Sequence, residues 1–146
     1  DNHLRFYVGC IKNEDTEFYV KYMTHVNNVL VSNYKGYYYR INPNSVMQSG
    51  LHIKSLTSIE AQERMSDYLV GMGLYNADNY LLSNSVQVYV LSAARNKHIE
   101  IYNFLHDKYD VRLHMKKELH HPRIVRKCVS LVYLLLGRKL FYLLTI

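Results

Sequence analysis

Two adjacent carboxylates, Glu14 and Asp15, close the stretch Tyr7-Val8-Gly9-Cys10-Ile11-Lys12-Asn13-Glu14-Asp15. Apolar positions surround Gly9, and a glycine on a helix face lets a second backbone come close. A carboxylate at the foot of such a helix is one way to set a divalent metal against a phosphate. An ordinary amphipathic helix running into a polar turn looks the same, so both readings stand on this stretch. A second group is Asp110-Val111-Arg112-Leu113-His114-Met115-Lys116-Lys117, which mixes apolar anchors with a dense basic run. The doublet His120-His121 is a poor metal site, because adjacent positions on a helix point apart. No Gly-rich phosphate loop, Gly-x-Ser-x-Gly or His-Glu-x-x-His occurs, which removes the signatures of P-loop, serine-hydrolase and zinc-peptidase chemistry.

The chain that must position these groups has 146 residues, the size of one domain, and is 49% hydrophobic, enough for a real core. Lys and Arg number 18 against 12 Asp and Glu, a formal charge of +6. The resulting pI near 9.2 favours a polyanionic partner, since phosphate neutralisation supplies most non-specific nucleic-acid affinity. Fifteen tyrosines and no tryptophan suit a half-buried sheet or base stacking, and also fit an A/T-rich gene. Cys10 and Cys128 lie far apart in apolar runs, which reads as two buried thiols in a reducing intracellular compartment, cytoplasm or organelle matrix. No signal peptide is visible. Residues 129–146 are apolar but interrupted by Gly137-Arg138-Lys139, and the uninterrupted piece falls short of the ~20 residues that span a bilayer. A buried helix or an oligomer contact is expected there, with no membrane partner.

Periodicity predicts a first helix over residues 1–13. Alternation predicts extended sequence from residue 17 to 31, then at 37–41 and 51–56, with turns at 33–36, 42–44 and 48–50. Thr57-Ser58-Ile59-Glu60 has the form of a capping box opening a helix, and Ala61, Met65, Leu69 and Met72 continue its stripe to a stop at Gly73. Residues 75–82 and 85–92 are expected as paired strands around Ser83-Asn84, because Val86-Gln87-Val88-Tyr89-Val90-Leu91 is rich in β-branched and aromatic side chains. A short helix carrying Ile99, Tyr102 and Leu105 follows, then the basic run, then a last helix opened by Pro122. The expected fold is α+β, a mixed αββαββα-like domain over residues 1–121, with an apolar helical extension at 122–146.

In order and local pattern the chain resembles a LAGLIDADG-type homing endonuclease or maturase domain. The resemblance covers residues 6–121 and rests on three pieces. They are residues 56–74 with their Leu-Val-Gly-Met-Gly-Leu ending, the strand-like 86–92 followed by 96–105, and the basic piece Val111-Arg112-Leu113-His114-Met115-Lys116. Tyr7 to Asp15 is similar to a degenerate signature motif that keeps the glycine and an acid at Glu14, but departs at Lys12 and Asp15.

That resemblance implies a curved antiparallel sheet with helices on one face, laid into the DNA major groove. It also implies a homodimer, or packing against a larger assembly, with Mg²⁺ shared between acids of two signature helices. Glu14 would be the metal ligand with Asp15 as its substitute, and Lys116 or His114 would stabilise charge on the phosphate. Outward side chains on the strands, Lys21, Arg40, Lys54, Gln87 and Tyr89, with Arg112 from the basic piece, would contact the nucleic acid. Site-specific hydrolysis of double-stranded DNA is the first functional expectation. An inactive relative binding structured RNA, and a protein-interaction domain, are the alternatives.

Overall fold

The computed structural model describes residues 3–38, 40, 42 and 50–145, apart from the side chains of 75–80. Six α-helices follow one another: α1 Glu14–Met23, α2 Thr57–Gly71, α3 Tyr75–Arg95, α4 Ile99–Lys108, α5 Val111–Glu118 and α6 Ile124–Leu144. A 3₁₀ turn, Ile53–Leu56, leads into α2. No strand is present among the described residues, so the expected α+β fold with its curved sheet is wrong and the domain is all-helical.

The error is sharpest in α3, read from sequence as two strands. Alternation would put Val86, Val88 and Val90 on one face. Instead the buried positions are Ser83, Val86, Gln87, Val90, Ala93 and Ala94, while Val88 is exposed. Steps of three and four are the helix period, and here it outweighs the β-branched composition. A tertiary core overrides local propensity of that size.

The first helix is displaced in the same way. Residues 3–13 are not helical, and Gly9 (φ 88°) sits in a turn rather than on a packed helix face. Residues 14–23, expected to be extended, form α1. Glu14, Asp15 and Glu17 occupy its first turn and Lys21 its last, the charge order that favours a helix dipole. The basic run at 111–118 is likewise helical. Asp110 Oδ1 accepts from the Leu113 amide at 3.0 Å and caps α5. Val111, His114, Met115 and Glu118 form its buried stripe.

The helix expected at Thr57 is present, and its stop is as expected. Gly73 has φ 77°, and the amides of Gly73 and Leu74 donate to the carbonyls of Val70 and Leu69, a Schellman ending that glycine makes at no steric cost. The capping box is not at Thr57. The reciprocal pair lies earlier, between His52 and Ser55, while Glu60 joins Lys108 at 3.2 Å. Helices α4 and α6 begin near their expected places. The strand expected at 37–41 and the turns at 42–44 and 48–50 lie partly outside the described residues; Tyr37, Tyr38 and Arg40 are exposed and not in a strand.

Helix α3 is the hub, packing against α2, α4, α5 and α6, while α1 packs on α2 and α5 on α6. One apolar cluster joins α2 to α6, with Ile59, Val86, Val90, Tyr102, Leu105 and Met115 at its centre and Tyr133 and Phe141 of α6 included. Gly137 breaks α6 at φ 72°, ψ 174°, a backbone region open to glycine almost alone. Beyond it the chain turns Phe141 back into the core. Among the described residues no helix is long and apolar enough to cross a membrane.

Candidate polyanion-binding site

The expected metal ligands stand at the start of α1. Glu14 is half-buried and Asp15 exposed, and Asp15 Oδ1 already accepts from the Thr16 amide at 2.7 Å. Neighbouring helix positions diverge, whereas Mg²⁺ requires oxygens in near-ideal octahedral array. Among the described residues no group of three or more His, Cys, Asp or Glu side chains converges. Within one copy of the chain no third such side chain among the described residues joins Glu14 and Asp15, and no catalytic step is derived through a metal.

The carboxylate that α1 does hold in place is Glu17, only 3% exposed. Arg64 of α2 donates to it through Nε at 3.0 and 3.1 Å and through Nη2 at 2.7 Å, and Lys21 donates at 2.7 Å. Burial raises the Glu17 pKa, but the bonds from Arg64 and Lys21 outweigh it and hold the carboxyl below its usual value. The Arg64 guanidinium also lies 3.8 Å from the centre of the Tyr7 ring, and Asn13 Nδ2 donates to Ser58 Oγ at 2.7 Å. These contacts fasten residues 7–13 to α2, and the pairs are internal.

The other expected contact residues are scattered by the helical fold. Lys21 is taken up by Glu17 and faces the Tyr68 ring. Lys54 is exposed on the 3₁₀ turn and Arg40 is exposed outside any helix. Gln87 is buried and donates to the Arg126 carbonyl and to Ser130 Oγ, at 2.8 and 2.7 Å. Tyr89 donates to the Ser55 carbonyl at 2.9 Å. Gln87 and Tyr89 thus join helices rather than face outward. His114 is also buried, with Nδ1 3.0 Å from Ser83 Oγ. Burial, then Lys117, lowers its pKa, so it is a neutral packing group at pH 7.

Lys116 and Arg112, by contrast, share one exposed face of α5 at i and i+4 spacing. Arg123 and Lys127 repeat that spacing at the start of α6, and Lys117 completes the set. None of the five forms an ion pair among the described residues, whereas Lys21, Arg64, Lys108 and Arg138 each do. Helices α5 and α6 pack together. Arg112 lies close enough to the Tyr133 hydroxyl of α6 to oppose the rise that burial causes in its pKa. The His121 imidazole, between the helices, is held below its usual pKa by desolvation and then by the combined field of Arg126, Arg123 and Lys127. The five cations lie along α5 and the first turn of α6, two helices packed together and joined by the 119–123 turn, and are called the ridge below.

Beneath the ridge lies Glu118, fully buried with no hydrogen-bond partner for either oxygen; Arg126 Nη1 stands 3.8 Å away. Burial raises its pKa and Arg126 only partly offsets this; the segment's other carboxylate, exposed Asp110, accepts from the Leu113 amide at the start of α5. Sequence reading placed Arg112 and Lys116 in the site but missed Arg123, Lys117 and Lys127. The repeated four-residue spacing was the available signal, legible once 111–118 is known to be helical. Cys128, expected buried, is exposed, while Cys10 is half-buried. No protein-family model matches the chain, and neither a curated protein nor a solved structure proves similar to it.

Proposed function

We propose that this chain is a helical nucleic-acid-binding domain that contacts the phosphate backbone through the ridge of Arg112, Lys116, Lys117, Arg123 and Lys127. The observation that carries the reading is that these five cations share one end of the molecule with no carboxylate paired to any of them among the described residues. Unpaired surface cations release counterions from a polyanion at no internal cost, which makes such a ridge the electrostatic footprint of phosphate binding. Binding rather than hydrolysis is supported by the separation of the expected catalytic groups. Glu14 and Asp15 lie on α1, which packs on α2, while His114 and Lys116 lie on α5, which packs on α3 and α6. With no sheet among the described residues to enter a major groove, recognition of shape and backbone is the expected mode.

The test is fluorescence anisotropy with a labelled RNA hairpin, a DNA duplex of equal length and a polyglutamate control. Arg112→Ala with Lys116→Ala, and Arg123→Ala with Lys127→Ala, are each expected to weaken binding at least about tenfold while circular dichroism stays unchanged. Equal affinity for polyglutamate, or no effect of either double substitution, would overturn the reading. A protein partner is favoured by a different feature of α6.

A further inference from the structure

Helix α6 is apolar on two sides. Its inward side carries Tyr133 and Phe141 together with Ser130, fully buried and bonded to Gln87. Several of its outward positions are apolar as well. Ile124, Leu131 and Leu135 are 73, 51 and 76% exposed, and with the exposed Cys128 they fall at i, i+4, i+7 and i+11, one continuous stripe. The end layer of a stacked helical domain normally turns a polar face to water, and a contiguous apolar stripe marks an interaction site. Phosphate contact along the ridge would leave this stripe bare, so it needs an explanation of its own.

The charges around the stripe select its occupant. Arg123 and Lys127 border it at the start of α6, and Lys139 follows beyond the Gly137 break, where Arg138 is already paired with Asp107. A second copy laid along the stripe offers these cations no counter-charge, because α6 carries no Asp or Glu between Ile124 and Leu144, and each chain already carries +6. A bilayer surface would be expected to meet aromatic anchors on the outward face, but Tyr133 and Phe141 of α6 turn inward. We infer that α6 docks an amphipathic helix of another protein, one with an apolar stripe at i, i+3, i+4 and i+7 and glutamates or aspartates along its flanks.

The inference is tested on the full chain with three labelled helical peptides sharing one apolar stripe, flanked by glutamates, by lysines, or with the stripe scrambled. Vesicles of 3:1 phosphatidylcholine and phosphatidylserine (a composition we choose) and equilibrium sedimentation of the protein alone complete the set. The glutamate peptide is expected to bind at least about tenfold more tightly than the lysine and scrambled peptides. Leu131→Glu with Leu135→Glu should abolish that preference, and Lys127→Glu should reduce it several-fold, with helix content unchanged because these side chains are exposed. Equal binding of the glutamate and lysine peptides would overturn the inference, as would binding of no peptide. So would a dimer or vesicle binding that the leucine substitutions abolish, which would assign the stripe to a second copy or to a lipid surface. Nucleic-acid binding that survives Leu131→Glu with Leu135→Glu shows that the ridge and the stripe act separately, so either reading can fail alone.

Discussion

Glu17 and Glu118 are both buried carboxylates beside an arginine, and the two ends of the molecule treat them in opposite ways. At the α1–α2 end, Glu17 receives three contacts from Arg64 and one from Lys21, so the charge there is spent internally. At the α5–α6 end, Glu118 receives no hydrogen bond, with Arg126 at 3.8 Å, and the cations above it are left for something outside. A buried ion pair supports a fold only when its lone pairs are met by donors, and is otherwise a desolvation burden. The first end is therefore a clasp for the N-terminal segment. The second retains a costly buried charge beneath an unneutralised surface, as expected where function rather than stability sets the residues.

The comparison can be broken by substitution. Glu17→Ala should destabilise most, by about 3 kcal/mol, because it leaves Arg64 and Lys21 without their acceptor; urea unfolding measures it, and a loss below about 1 kcal/mol would show that the clasp is idle. Gly137→Ala should cost about 2 kcal/mol through backbone strain alone, since a Cβ there meets nothing within 4 Å; thermal unfolding together with loss of the Phe141 packing would report it. Glu118→Gln should act in the opposite direction to Glu17→Ala, stabilising by about 1 kcal/mol at pH 7. A destabilisation as large as that of Glu17→Ala would erase the distinction between the two ends.

The smallest effects are in pH dependence, and their signs differ. The lowered Glu17 carboxyl contributes stability that is present above its ordinary value of 4.5 and lost as pH falls through the folded value below it. The raised Glu118 carboxyl penalises the fold when ionised, and the penalty is relieved as pH falls through a folded value above 4.5. His106 and His114, pushed down first by burial, favour the fold while neutral and withdraw that support as pH falls below 6.5. His106 donates through Nδ1 to the Tyr102 carbonyl at 2.8 Å, which leaves Nε2 to accept from the Tyr133 hydroxyl at 2.9 Å. Unfolding titrations between pH 7 and 5 should therefore fall more steeply for Glu118→Gln than for the unsubstituted chain. Parallel curves would contradict that assignment.

What could be read from the sequence was set by the strength of local signals. Helix α2 has a single apolar stripe and a glycine stop, so it was visible. Helix α3 was not, because Val86, Val88 and Val90 fit the strand period, while its helical stripe at Ser83, Val86, Gln87, Val90 and Ala93 includes polar positions that hid it. Gln87 and Tyr89 looked like outward strand residues for the same reason, and their bonds to Ser130 and Ser55 come from helices that meet only in the fold. The charge balance pointed to a polyanion. Which cations remain unpaired depends on partners far apart in sequence, as Glu17 and Arg64 are, and no spacing rule reports that.

The most direct test of the central claim is the salt dependence of RNA-hairpin binding. A ridge of five unpaired cations predicts that log affinity falls with log salt at a slope of about −4, and that Arg123→Ala with Lys127→Ala reduces the slope by about 2. A slope near zero, or one unchanged by that substitution, would contradict the account.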